Sequence, residues 1–218
     1  QDEHNTDALY KLGENIYYLE YYALAEAYLK MVIEKEPLYT QAYITLGLAQ
    51  QERDNLEEAI MCFEDAININ PQEVFAYLNL ALLHKKNKNF DEAIKVYQSA
   101  IINNPNNHFI LSNLGNLFYL QKKYEDAVLC HEKAVKIEPE SVVAHYNFGN
   151  TLYHAGQFEE AKKIYQKTIA LDPLFNRAHS NLGSLDLLNQ NFVEGFSAYH
   201  LRIFNDPLLK KIISKQKT

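Results

Sequence analysis

The sequence predicts an all-α protein built from tandem helix–turn–helix units of 34 residues. The six prolines follow one another at intervals of 34 residues: Pro37, Pro71, Pro105, Pro139, Pro173 and Pro207. Five of the seven glycines precede one of these prolines by 24 residues: Gly13, Gly47, Gly115, Gly149 and Gly183. A fixed period of this size indicates a repeat architecture.

The first half of each unit is predicted to be a helix with one buried side. With Thr6 as position 1, a short N-terminal extension (residues 1–5) is followed by units 6–39, 40–73, 74–107, 108–141, 142–175 and 176–209. Apolar residues recur at helical spacing, and position 7 is Leu in every unit except the fifth, which has Phe148. The glycine at position 8 costs a helix about 1 kcal/mol. We therefore expect it to permit close approach of the second helix, opposite the small residue at position 20.

A polar turn, such as Lys88-Asn89, separates the first helix from the second. The proline at position 32 ends the unit because it cannot continue a helix. Acidic pairs recur at positions 18 and 19: Glu57-Glu58, Asp91-Glu92, Glu125-Asp126 and Glu159-Glu160. Carboxylates are favoured where a helix begins. We therefore interpret these pairs as helix starts and not as acid–base catalysts.

The last unit departs from the pattern. Asp186 and Arg202 stand at positions that are otherwise mostly apolar or small, so we expect them to pair or to face an adjoining element. After Pro207, apolar residues with lysines around them predict a capping helix that begins near 207. Residues 210–218 form its C-terminal part and the tail.

The period, the prolines, the Leu-Gly pairs and the alanines at position 20 together resemble the tetratricopeptide repeat family over residues 6–209. One departure is position 4, where the family often has tryptophan and this chain has none. The resemblance implies a right-handed α-solenoid of six repeats whose first helices line an inner groove. It also implies a non-enzymatic scaffold that binds a protein or an extended peptide.

The first helices carry asparagines in register on one face. Position 6 holds Asn79, Asn113, Asn147 and Asn181, and position 9 adds Asn116 and Asn150. An amide offers a donor and an acceptor, as a peptide backbone does. The set is similar to the asparagine ladder in the tetratricopeptide region of O-GlcNAc transferases, which implies binding of a peptide backbone. The predicted site also includes Phe75, Phe109, Tyr146, Tyr153 and His154. The alternative is that the asparagines hydrogen-bond within the scaffold.

Composition narrows the function classes. The net charge of −7 argues against nucleic acid as a partner, and no apolar run is long enough for membrane insertion. Cys62 and Cys130 lie two repeats apart, about 20 Å by helix stacking, which is too far for a disulfide. Free thiols favour a reducing, cytoplasmic location. Neither a catalytic motif nor a metal-ligand spacing occurs, so we predict no enzyme activity, no metal and no cofactor.

Two further hypotheses stay open. The stretch Glu194-Gly195-Phe196, with Tyr199 and Arg202, resembles the closing repeat of bacterial tetratricopeptide proteins that continue into a glycosyltransferase domain. The chain would then be the substrate-recruiting region of such an enzyme. The other hypothesis is a self-assembling scaffold that stacks through its end repeats.

Overall fold

The computed structural model describes residues 3–188, and within this range it contains eleven α-helices and no β-strand. The helices are α1 (Glu3–Tyr18), α2 (Tyr22–Lys35), α3 (Thr40–Glu52), α4 (Leu56–Ile69), α5 (Val74–Lys86), α6 (Phe90–Asn103), α7 (His108–Leu120), α8 (Tyr124–Ile137), α9 (Val142–His154), α10 (Phe158–Leu171) and α11 (Asn176–Leu188). The all-α class predicted from the sequence is confirmed. The chain divides into two compact units, Gln1–Asn106 and Asn107–Thr218, called the N-terminal and C-terminal units below.

The N-terminal unit contains three helical pairs, α1–α2, α3–α4 and α5–α6. Each helix packs against the next in sequence, and α1 also contacts α3. The alanines at position 20, Ala25, Ala59 and Ala93, are completely buried. Larger side chains such as Leu29 and Phe63 fill the space around them, so small and large residues alternate in this core.

The C-terminal unit contains the pairs α7–α8 and α9–α10, followed by α11. Neighbouring helices pack in order along the chain, and α7 also contacts α9. The core around α9, α10 and α11 is formed by Phe148, Leu152, Tyr165 and Leu185. The first helices of two successive repeats, α7 and α9, are therefore in direct contact.

The turns and helix ends follow the sequence signals. Position 15 adopts a left-handed backbone conformation in all five complete turns: Glu20, Asp54, Lys88, Lys122 and Gly156. The acidic pairs at positions 18 and 19 lie in the first turns of α4, α6, α8 and α10, which confirms their interpretation as helix starts. The first five prolines each lie two residues beyond the end of a second helix.

The regularly spaced glycines at position 8 face a different side chain from the one expected. A β-carbon built on Gly149 would lie 2.7 Å from Cε1 of Tyr165, and one built on Gly115 would lie 2.8 Å from the His131 ring. Tyr165 and His131 both stand at position 24. The glycine therefore makes room for the position-24 side chain, because a large side chain there projects under the first helix, and not for the alanine at position 20.

Some predictions made from the sequence differ from the structure, and others concern residues that the structure does not describe. Helix α1 begins at Glu3, within the segment assigned to the N-terminal extension. Asp186 pairs with Lys162, with 2.6 Å between Nζ and Oδ1. The predicted partner, Arg202, lies outside the described residues. The same holds for the glycosyltransferase-like stretch 194–202 and the predicted capping helix near 207–218.

Candidate ligand-binding site

The predicted asparagines are divided between the two units. Asn79 and Phe75 lie on α5 of the N-terminal unit, whereas the remaining predicted site residues lie on α7, α9 and α11 of the C-terminal unit. Positions 2, 6 and 9 share one helix face because they are three or four residues apart. The C-terminal unit therefore brings together three of the four asparagines at position 6 and both at position 9.

Asn79 and Asn113 have the same local geometry. Each donates a hydrogen bond from Nδ2 to the backbone carbonyl oxygen four residues earlier, at 2.8 Å for Asn79 and 2.9 Å for Asn113. These carbonyls belong to Phe75 and Phe109, whose side chains are 58% and 61% exposed. An amide has two N–H donors and an acceptor oxygen. Each side chain therefore retains one donor and its acceptor on a helix face that also carries an exposed phenylalanine.

Asn150 and Asn181 belong to a closed hydrogen-bond network with Tyr165. The Tyr165 hydroxyl donates to Oδ1 of Asn150 at 2.8 Å, and Nδ2 of Asn181 donates to the same oxygen at 2.7 Å. Asn181 Nδ2 also lies 3.3 Å from the Tyr165 oxygen. Burial raises the pKa of Tyr165 above its usual range, so the phenol stays protonated and able to donate at neutral pH. For this pair, the alternative of hydrogen bonding within the scaffold is observed.

Asn116 and Asn147 are arranged differently. They line a cavity of about 70 Å³ together with Tyr119, Asn150 and Thr151. Neither side-chain amide has a hydrogen-bond partner among residues 3–188. A second cavity, of about 140 Å³, is lined by Asn150, Tyr153, His154, Tyr165, Asn181 and Ser184. Asn150 contributes to both cavities, so they adjoin along the face of the first helices.

Aromatic rings flank the second cavity. The exposed His154 ring lies 5.2 Å from Tyr119, 5.8 Å from Tyr124 and 5.3 Å from Tyr153, measured between centroids. Tyr146 instead packs against Phe175, with 5.1 Å between the ring centroids, and is half-buried. Tyr153 and His154 thus line the candidate site, whereas Tyr146 supports it from the core.

The second predicted site residue on α5, Phe75, belongs to a cleft of the N-terminal unit. Phe75 lines a cavity of about 280 Å³ whose remaining walls come from α1, α3 and the residue before α5: Tyr10, Glu14, Tyr18, Gln41, Ile44, Thr45, Leu48 and Glu73. The Tyr10 hydroxyl donates to Glu14 at 2.8 Å and lies 3.3 Å from Oγ1 of Thr45. Mainly because of burial, the pKa of Tyr10 is raised to about 12.

Residues at position 24 lie beneath the site, a role that was not predicted from the sequence. Tyr165 holds two of the predicted asparagines, and His131 occupies the same position one repeat earlier. The available signal was the distance of 16 residues that separates each of these rings from its glycine, Gly149 or Gly115. That spacing places the ring under the first helix, next to the glycine.

The two histidines at position 4, His145 and His179, lie within hydrogen-bond distance of backbone carbonyl oxygens of their own segments. His145 is buried and its Nδ1 donates to the carbonyl oxygen of Ser141 at 3.0 Å, while Nε2 of His179 lies 3.0 Å from the carbonyl oxygen of Pro173. Across residues 3–188, no three His, Cys, Asp or Glu side chains are grouped as metal ligands. None of the helices in this range has the length and apolar character needed to cross a membrane.

Comparison with known families identifies the repeats. Tetratricopeptide repeat models match residues 40–73, 74–107 and 142–175, and a further TPR repeat model matches residues 115–156. Comparison with the curated proteins gives no match.

Solved structures share the fold at low sequence identity. The C-terminal part of a TPR repeat-containing protein from Cytophaga hutchinsonii has a TM-score of 0.80 at 17% identity, over 96% of this chain and 86% of that one. A tetratricopeptide repeat protein from Parabacteroides merdae has a TM-score of 0.70 at 20% identity, over 89% and 77%. YrrB, described as a TPR protein with an unusual peptide-binding site, has a TM-score of 0.68 at 19% identity, over 86% and 97%.

Proposed function

Because this chain belongs to the tetratricopeptide repeat family, we propose that it is a non-catalytic interaction scaffold that binds an extended segment of a partner protein. The binding surface of the C-terminal unit is the face of α7, α9 and α11 that carries the asparagines. The observation that carries this proposal is the pair of adjoining cavities, about 70 and 140 Å³, lined by amides, phenols and His154.

The chemistry of this surface suits a peptide backbone. Backbone N–H and C=O groups alternate along an extended chain, and an asparagine side chain can satisfy either. Within the described residues, Asn113 retains a side-chain donor and its acceptor, and the side-chain amide of Asn147 has no hydrogen-bond partner. Phe109, whose backbone carbonyl accepts the hydrogen bond from Asn113, has an exposed side chain that can contact an apolar side chain of the peptide. The peptide-binding description of YrrB is consistent with this proposal.

The test begins with a probe selected on the protein itself. A phage-displayed library of linear dodecapeptides is selected against the immobilised full chain, and the best peptide is measured by calorimetric titration. We expect Asn113→Ala/Asn147→Ala to weaken binding by about 5- to 150-fold, because two lost hydrogen bonds contribute roughly 1–3 kcal/mol. Salt should change the affinity little, because the amides are neutral and screening acts on charges.

A matched control removes two asparagines elsewhere. Asn87→Ala/Asn89→Ala changes two exposed amides in the turn between α5 and α6 and should leave the affinity unchanged. Circular dichroism confirms that both double variants remain helical. If a folded Asn113→Ala/Asn147→Ala variant bound the peptide as tightly as the parent, the asparagine site would be wrong.

Self-association through the first repeat is a second candidate, favoured by one observation. The turn between α1 and α2 exposes Tyr18, Leu19, Tyr21 and Leu24, whereas the next turn has Glu52, Arg53 and Asn55 at three of these positions. Contiguous exposed apolar side chains commonly mark an interaction surface. Light scattering after size exclusion should show an oligomer that Leu19→Glu/Leu24→Glu converts to monomer. A monomeric parent at the highest measurable concentration would exclude this candidate.

A further inference from the structure

Within residues 3–188, a tyrosine hydroxyl connects position 9 of one first helix to position 6 of the next at two places. In the C-terminal unit, Tyr165 connects Asn150 on α9 to Asn181 on α11. In the N-terminal unit, Tyr10 connects Glu14 on α1 to Thr45 on α3. The two tyrosines come from different repeat positions, 24 and 5. The connection itself is therefore the recurring feature, whichever residue supplies it.

The step from α7 to α9 has the same polar positions but no such connection. Asn116 holds position 9 and Asn147 holds position 6, while position 24 is His131. The His131 side chain is completely buried under Gly115, and neither of its ring nitrogens has a hydrogen-bond partner within residues 3–188. An imidazole has no hydroxyl and is shorter than a phenol. It leaves the two amides, which line the same cavity, without partners in the described part of the chain.

This difference decides which amides a ligand can use. Oδ1 of Asn150 accepts two hydrogen bonds, which occupies both of its lone pairs. A ligand that needed this oxygen would have to break an existing bond, and the exchange would yield little net free energy. Asn116 and Asn147 retain both oxygens and all four N–H donors, so a ligand amide can bind them without breaking a bond within the protein.

We propose that His131 makes the Asn116–Asn147 pair the place where the C-terminal unit binds a backbone amide, whereas Tyr165 withholds the Asn150–Asn181 pair. This inference rests on the proposed function and specifies it further. In the C-terminal unit, the residue at position 24 then determines which pair of asparagines can bind a ligand. His131 does so from beneath the binding face, without lining the cavity beside Asn116. The ligand chemistry is an unsubstituted peptide amide, with one donor and one acceptor.

The probe for this inference is N-acetyl-triglycine N-methylamide, which has a peptide backbone and no side chains. It is titrated into the ¹⁵N-labelled full chain while the side-chain amide signals of the four asparagines are followed by NMR. In the parent, the signals of Asn116 and Asn147 should shift, and those of Asn150 and Asn181 should stay nearly constant. His131→Tyr supplies a hydroxyl at position 24 and should weaken binding at Asn116 and Asn147 by about tenfold.

Two variants complete the comparison. His131→Phe is the matched control, because it places a ring without a hydroxyl at position 24, as Phe63 does in the second repeat, and it should preserve the response of Asn116 and Asn147. Tyr165→Phe keeps the ring and removes the hydroxyl, which frees one lone pair of Asn150 Oδ1 while the direct bond from Asn181 remains. The signals of Asn150 and Asn181 should therefore begin to respond. The temperature dependence of the side-chain amide proton shifts, measured without the probe, shows which asparagine amides are hydrogen-bonded within the protein.

The outcomes separate the inference from the proposed function. If the probe shifted both pairs equally in the parent, or if a folded His131→Tyr variant responded like the parent, the role of His131 would be refuted and backbone binding would stand. If no asparagine on α7, α9 or α11 responded in the parent, backbone binding by this face would be refuted, and the inference with it. If His131→Tyr failed to fold, the Tyr165→Phe response would decide, and its absence would count against the inference.

Discussion

Lys162 on α10 donates a hydrogen bond to Asp186 on α11, with 2.6 Å between Nζ and Oδ1. The Asp186 residue is only 5% exposed, although aspartate is rarely buried without a partner. In the second and third repeats, the position of Lys162 is occupied by isoleucine, and Leu152 stands at the position of Asp186 one repeat earlier. The ion pair therefore replaces an apolar contact and makes the two residues depend on each other.

Breaking this ion pair from one side should destabilise the C-terminal unit. Lys162→Ile would leave a buried carboxylate without its cation, at a cost of roughly 1–3 kcal/mol. This is less than for a fully buried pair because 27% of the Lys162 side chain is exposed. Lys162→Ile/Asp186→Leu should recover the loss, because both positions then resemble other repeats. Urea denaturation measures the free energy of unfolding. If Lys162→Ile were as stable as the parent, Asp186 would not depend on Lys162.

The close contact between Gly149 and Tyr165 should make the glycine hard to replace. Gly149→Ala places a β-carbon 2.7 Å from the Tyr165 ring, so the ring must move and the overpacking should cost about 1–3 kcal/mol. The third repeat has Ala81 at this position together with Tyr97 at position 24, so the fold itself should survive the substitution. Gly13→Ala is the control, since its nearest contact is the flexible Leu29 at 3.2 Å, and its effect should stay within about 1 kcal/mol. Equal thermal stability of both variants would refute the contact.

Stability should depend on pH through His131. Burial lowers the pKa of this histidine from 6.5 to about 4, so the folded protein keeps it neutral where the unfolded chain binds a proton. The unfolded state therefore gains stability as pH falls from about 6.5 to about 4. At about 1.4 kcal/mol per pKa unit, the protein should lose roughly 3 kcal/mol over this range.

The measurement compares the parent with His131→Phe by urea denaturation at several pH values between 7 and 4. The variant has no histidine to protonate at this position, so its stability relative to the parent should increase as the pH falls. Subtracting the two curves removes the contribution of the other titrating groups. A constant difference across the range would mean that His131 titrates normally in the folded protein.

Both cysteines should react slowly while the protein is folded. Cys62 is buried and Cys130 is half-buried, and burial raises the pKa of each thiol to about 11. Because the thiolate is the reactive form, a thiol reagent at pH 8 should react roughly 100-fold more slowly than with free cysteine. In denaturant without reductant, two thiols per chain should react at once. Cys62→Ser and Cys130→Ser assign the rates, and fewer than two reactive thiols in denaturant would indicate a disulfide.

The sequence predicted the fold class more completely than the candidate site. The 34-residue period, the prolines and the acidic pairs each correspond to a helix end or start, because these local signals act on the backbone near them. The asparagines on α7, α9 and α11 were placed on a common face by the same spacing argument. What each amide does could not be predicted, because it depends on residues in other helices. Asn116 and Asn150 hold the same repeat position, and they differ in the ring beneath each step, which is His131 for Asn116 and Tyr165 for Asn150.

The left-handed turn at position 15 has a consequence for how the chain folds. In an ordinary L-residue this conformation costs roughly 1–2 kcal/mol, and Glu20, Lys88 and Lys122 all adopt it. The backbone geometry is the same whether the residue is acidic, basic or the Gly156 of the fifth repeat, so the side chain does not select it. Packing between neighbouring helices must offset the cost. A single 34-residue segment in isolation would retain only the packing between its own two helices and would lose the contacts with the adjacent repeats. The repeats are therefore expected to fold in groups.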